Sequence, residues 1–187
     1  MTFKPALSLL ACLAVLAGCA TLSEDECRTA NWRDIGQRDG LDGKPASHLA
    51  QHAKACAEYG LRPDESRYHQ GRNEGLREYC RLDNAFDSGL RGQSYQGVCP
   101  AAIDRDFRRY HEAAYAVYTL RRDLDAQHDR IDSRRQRLRA KKLSDGERDD
   151  IRREIRDIER QMDYHRDRLR DAERRLDRAR DDARYGR

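Results

Sequence analysis

Only one sustained apolar run occurs in the 187 residues, Ala6 to Leu16, and it is about half of the roughly 20 helical residues that a hydrocarbon core requires. A membrane-spanning helix is therefore not expected. Charge of one sign is also missing: 38 basic and 34 acidic side chains leave a formal net charge of +4. Arg and Asp alternate along the chain, which is not the field of a nucleic-acid binder. No nucleic-acid partner is expected, although the small basic excess suits an anionic headgroup layer. The chain has no GxSxG, P-loop, HExxH or glycine-rich dinucleotide loop, so neither an enzyme nor a cofactor is expected. Apolar residues, at 37% against 39% charged, are too few for one large core and favour an extended, surface-rich architecture.

What is present begins with the amino terminus. A Lys near the start, the short apolar run and then small residues before a cysteine have the order of a secretory signal. Leu16-Ala17-Gly18-Cys19 resembles the lipobox of bacterial lipoproteins, in which the signal is cut before the cysteine and its thiol takes a diacylglycerol. The resemblance implies a signal peptide over 1–18, lipidation of Cys19 and a tether over 19–23, with the acidic run Ser23 to Glu26 leading into the first helix. Stable anchoring takes more than one acyl chain, and lipoproteins of this type carry three. Ala20, where many inner-membrane lipoproteins have Asp, favours the outer membrane and its periplasmic face.

With Cys12 in the signal and Cys19 on lipid, four cysteines remain: Cys27, Cys56, Cys80 and Cys99. An even number in an oxidising compartment predicts two disulfides closing a small domain, with three connectivities open. A rival use exists for one of them. His48, His52 and Cys56 lie at i, i+4 and i+8 on one face of a helix through SHLAQHAKACAEYG, and imidazole with thiolate is a zinc-type set. No matching second half accompanies them and Cys56 is wanted for a bridge, so the expectation is no metal and a polar stripe beside a bridged cysteine.

Between 24 and 99 glycines punctuate the chain. Gly36 and Gly40 repeat the spacing of Gly71 and Gly75, with Trp32 and Tyr68 ahead of each pair. Glycine in a helix costs about 1 kcal/mol relative to alanine, so such pairs predict close approach of two backbones. Helices are predicted over 24–39, 47–59, 63–81 and 84–92, with turns at 40–45 and 60–63. The alternative is a glycan groove lined by Tyr59, Tyr68, Tyr79 and Tyr95. Trp32, Gly36, Asp39, Gly40, the Tyr68 to Gly75 segment, Leu76, Tyr79-Cys80 and Gly89 through Gly97-Val98-Cys99 resemble the uncharacterised bacterial lipoprotein family known as domain of unknown function 2799. The resemblance implies a cell-envelope lipoprotein and carries over no catalytic residue.

Past Pro100 glycine all but vanishes, leaving Gly146 and Gly186. Ile103, Tyr110, Val117, Leu124, Ile131 and Leu138 recur every seven residues, with Phe107 and Ala114 at alternate positions that turn polar at Arg121, His128 and Arg135. A second series, Ile151, Ile155, Ile158, Met162, His165, Leu169, Ala172, Leu176, Ala179 and Ala183, steps by fours and threes. Each stripe needs a partner. Ser144 and Glu147 have capping-box spacing, so 100–187 is predicted to fold back as an antiparallel coiled-coil hairpin. His165 is a polar seam position that could set register or loosen the hairpin near pH 6. The polar positions of the first stripe leave room for a third helix from another chain.

The expected fold is thus all-α: a small disulfide-closed helical domain over 24–99 followed by a long antiparallel coiled-coil hairpin over 100–187. The expected role is a non-enzymatic envelope lipoprotein, close to peptidoglycan, that binds a protein partner or itself through the coiled coil. The alternative is an envelope sensor or binding module for a glycan or metal ion on the 24–99 domain.

Overall fold

The structure, a computed structural model, describes residues 21–185. The signal segment, Cys12 and Cys19 lie outside the described residues. Every regular element is helical: α1 (Glu24–Arg28), α2 (Trp32–Leu41), a 3₁₀ turn (Ala46–His48), α3 (Leu49–Ala57), α4 (Glu65–Tyr79), α5 (Leu82–Leu90), α6 (Ala101–Leu138) and α7 (Asp145–Tyr185).

The helix predicted over 24–39 is two. Ser23 and Glu26 form a capping box that starts α1. The Thr29 hydroxyl donates to the Asp25 carbonyl at 2.8 Å and Asn31 sits at the N-cap of α2. Such residues offer the backbone bonds that compete with helix continuation. The break lets Cys27, Trp32 and Ile35 enter one apolar cluster with Leu22, Leu49, Cys56 and Tyr68. The same geometry alters the expected tether. Ser23 to Glu26 is the first turn of a helix, Leu22 is buried, and Thr21 is hydrogen-bonded into the domain.

Helices α2 and α4 meet backbone to backbone. A Cβ at Gly36 would overlap the Tyr68 carbonyl, one at Gly40 the Arg72 carbonyl, one at Gly71 the Arg33 carbonyl and one at Gly75 the Gln37 carbonyl. The glycine pairs therefore serve the close contact that their spacing predicts. Gly89 repeats the device between α5 and α6, where a Cβ would lie 2.6 Å from the His111 carbonyl oxygen.

Two disulfides join Cys27 to Cys56 and Cys80 to Cys99, with Cα–Cα separations of 5.5 and 5.6 Å. The first ties α1 to α3. The second ties the end of α4 to the segment just before α6, where the Tyr95 hydroxyl accepts from the Cys99 N–H at 3.0 Å and donates to Asp104.

The larger core continues across Pro100. Leu76, Tyr79, Cys80, Ala85, Phe86 and Cys99 pack with Phe107, Tyr110, Ala114, Val117 and Leu120 of α6 and with Ala172 and Leu176 of α7. Phe86 stacks on Tyr110 with ring centroids 5.0 Å apart. Helix α7 runs back along α6, as the ion pairs Arg109–Asp182, Arg121–Glu173 and Arg134–Glu154 record in order. It starts on Ser144, whose N–H and hydroxyl both donate to Glu147 at 2.8 Å.

The stripe on α6 departs from its expected register. Phe107 and Ala114 are buried, but further along Leu120 and Gln127 are buried in place of Arg121 and His128. Up to Val117 the helix is covered by both α5 and α7, which demands a wide apolar band. Beyond α5 only α7 faces it, and the band narrows to steps of three and four. Arg121 and Arg135 lie exposed and pair with Glu173 and Glu159 of α7. On α7 the expected stripe is kept: Ile151, Met162, Ala172 and Leu176 are buried, and Ile155, Ile158, His165, Leu169, Ala179 and Ala183 are half-buried.

Candidate functional site

The densest polar cluster inside the head lies beneath the α2/α4 contact. Asp39 stands between Gly36 and Gly40 on α2, and Tyr68 lies one turn before Gly71 on α4. Because the glycines let these helices close up, the Tyr68 hydroxyl reaches the Asp39 carboxylate and donates to Oδ2 at 2.6 Å. His52, on α3, places Nε2 2.9 Å from the same oxygen, and its Nδ1 lies 2.8 Å from the Thr21 hydroxyl. The carboxylate accepts from Nε2–H. Nδ1 then accepts from Thr21 when the ring is neutral and donates when it is protonated. The Cys27–Cys56 bridge fixes α3, so His52 is held from both ends of the contact.

Asp39, His52 and Tyr68 are 8%, 4% and 0% exposed. A buried carboxylate is tolerated only when it is hydrogen-bonded and matched by charge. Burial pushes the Asp39 pKa up, but the hydrogen bonds from His52 and Tyr68 and the nearby histidine charges outweigh it and leave the carboxyl below its ordinary value. Burial, and then the hydrogen bond to Asp39, push the Tyr68 hydroxyl well above an ordinary tyrosine. Arg72 completes the surround: its guanidinium donates to the Lys44 carbonyl at 3.0 and 2.7 Å, and burial lowers its pKa.

His48, on the 3₁₀ turn, sets its ring edge-on to His52 with centroids 4.9 Å apart. Burial holds His48 below the ordinary histidine value, against the raising influence of Asp39. Donor atoms of Asp39, His48 and His52 all lie within 4.8 Å of one another. Of the rival zinc-type trio His48, His52 and Cys56, one member drops out. Cys56 is bridged to Cys27 and fully buried, so it has no thiolate to offer, and Asp39 stands where the third donor was sought. The signal for Asp39 was faint: a single acid in the GQRDG segment between two glycines.

The four tyrosines of the glycan alternative are scattered. Tyr68 belongs to the Asp39 network, Tyr79 and Tyr95 pack on Phe107 at 5.4 and 4.8 Å between centroids, and Tyr59 sits on the surface past α3. They do not line one groove.

No curated protein and no solved structure matches the chain. A family match covers α2 to α5 and the start of α6, as far as the stretch that Phe107, Tyr110 and Ala114 pack into the head. Residues 31–116 match the model of the family described as protein of unknown function (DUF2799).

Proposed function

We propose that the chain is a non-enzymatic cell-envelope lipoprotein, held through lipidated Cys19 on the periplasmic face of the outer membrane, whose α6–α7 pair is an antiparallel coiled-coil hairpin that binds a protein partner. One observation carries the reading: the distal part of the pair has a core of its own. Leu124, Ile131 and Met162, with Ile155, Ile158 and Leu169, form a seam to which α6 and α7 alone contribute. Past Leu120, the last α6 residue in the head core, the pair runs on for about 27 Å at 1.5 Å per residue. Its outer faces carry Asp–Arg pairs three residues apart, such as Asp149–Arg152 and Asp163–Arg166, which keep the helices solvated without one dominant sign. Such a surface suits reach and partner choice better than catalysis.

The anchor is supported by the Leu16 to Cys19 lipobox and by the path of the chain, packed from Thr21 onward, which would hold the head close to the bilayer. No helix among the described residues is long and apolar enough to cross a membrane. Globomycin should shift the precursor's migration, and a Cys19→Ala chain should leave the outer-membrane fraction; a variant still found there overturns the anchor. Maleimide bridging of Arg121→Cys with Glu173→Cys should link within one chain, whereas exclusive dimers would sink the hairpin. Envelope crosslinking should capture a partner with the full chain and lose it when residues 125–165 are replaced by a short turn. A partner retained by the shortened chain would move binding to the head.

A further inference from the structure

The Asp39, His48 and His52 cluster plays no part in the hairpin. We propose that these three side chains form a binding site for a divalent transition metal, zinc by its donor chemistry. Two imidazoles and one carboxylate are a set that zinc takes with a fourth position left open. Zinc bonds of about 2.0–2.2 Å in a tetrahedron place neighbouring donors about 3.3–3.5 Å apart. The three donors here already lie within 4.8 Å of one another. Asp39 and His52 are fixed by the α2/α4 contact and the Cys27–Cys56 bridge. The adjustment falls on His48, whose half-exposed ring makes no hydrogen bond among the described residues and opens the site to solvent.

The supporting bonds are also in place. A metal-bound histidine is oriented by a hydrogen bond at its other nitrogen, and a metal-bound carboxylate by a donor at its oxygen. The Thr21 hydroxyl lies 2.8 Å from His52 Nδ1, and the Tyr68 hydroxyl lies 2.6 Å from Asp39 Oδ2. On metal binding the Nε2–H bond to Asp39 gives way to two bonds to one ion: a neutral ring moves its proton to Nδ1, which then donates to the Thr21 hydroxyl, while a protonated ring releases the Nε2 proton and keeps its Nδ1–H. Arg72 works against the ion through its charge, although its guanidinium is engaged with the Lys44 carbonyl. With one carboxylate facing a dication and Arg72 nearby, the fourth position favours water, hydroxide or a small anion.

The experiment uses the full chain in detergent, stripped with chelator and titrated with zinc chloride by calorimetry and with cobalt chloride by visible absorption. One zinc per chain, the intense visible bands of four-coordinate cobalt and a raised Tm are expected. His48→Ala should weaken zinc by more than the roughly 100-fold that loss of a supporting group costs. Its metal-free Tm should be unchanged, because the Asp39–His52–Tyr68 bonds do not involve His48. His69→Ala, on the exposed side of α4, should bind as the unaltered chain does. Absence of stoichiometric zinc binding, six-coordinate cobalt spectra, or undiminished binding by His48→Ala would each overturn the site.

Discussion

In the head, α2 and α4 touch through backbone, with four glycines removing the side chains between them; in the distal pair, α6 and α7 keep a single seam of large apolar side chains. The head is closed by two disulfides and holds a buried carboxylate network, while the pair is laced by exposed ion pairs. The difference teaches how a chain with little apolar material folds. Where the structure must enclose polar groups, close backbone contact and covalent bridges hold it. Where it must only be long, a narrow stripe suffices.

The largest expected effect tests the backbone contact. Gly71→Ala puts a methyl group onto the Arg33 carbonyl and should destabilise the head by about 3 kcal/mol or more, measured by denaturant unfolding. Gly146→Ala, with nothing within 4 Å, should be neutral or stabilising by about 0.5–1 kcal/mol. Equal effects at the two glycines would erase the contrast between the regions.

Removing the bridge between Cys27 and Cys56, separated by 29 residues, should cost about 3.6 kcal/mol in the chain-entropy account. Because that bridge fixes α3, amide exchange of α3 should rise while the distal parts of α6 and α7 keep their protection. A uniform rise across both regions would show that they unfold as one.

Met162→Ala reverses that test. Met162 is 2% exposed in the distal seam, so about 2 kcal/mol should be lost, with exchange rising near Ile131 and Ile155 and the head unaffected.

The smallest effect concerns the junction. Tyr95→Phe deletes the donor to Asp104 and the acceptor for the Cys99 N–H, at about 1 kcal/mol near neutral pH. Burial, then the bond to Asp104, push the Tyr95 hydroxyl up to about 12 from 10.0. A folded-state pKa that is raised gives stability present below the ordinary tyrosine value and lost as pH rises through the folded one. The Asp104 carboxyl is held below its ordinary value by the Tyr95 hydrogen bond, so its share is lost as pH falls. The difference in unfolding free energy between Tyr95→Phe and the unaltered chain should therefore be greatest near neutrality and shrink toward both extremes. A flat difference would mean that the hydroxyl's bonds contribute nothing.

Much of this was legible in the sequence because it is written in neighbouring residues. The capping box at Ser144 and Glu147, the glycine pairs and the stripe of α7 each depend on spacing along one helix, and spacing is what a sequence displays. The head's start was less legible, since Thr29 and Asn31 end and restart a helix through side-chain bonds that composition does not announce. The shift from Arg121 and His128 to Leu120 and Gln127 was hidden for another reason: which face of α6 is buried depends on where α5 stops covering it.

The sequence alone determined that the chain is helical, that two of its helices must meet at glycines and that its last two stripes need partners, because propensity, capping and periodicity act over a few residues. Tertiary structure decided which cysteine meets which. It also made Asp39, from a helix distant in sequence from His52 and Tyr68, the centre of the buried cluster. Those choices depend on how loops bring separate helices together, and a carboxylate is driven to find partners only once packing has removed it from water.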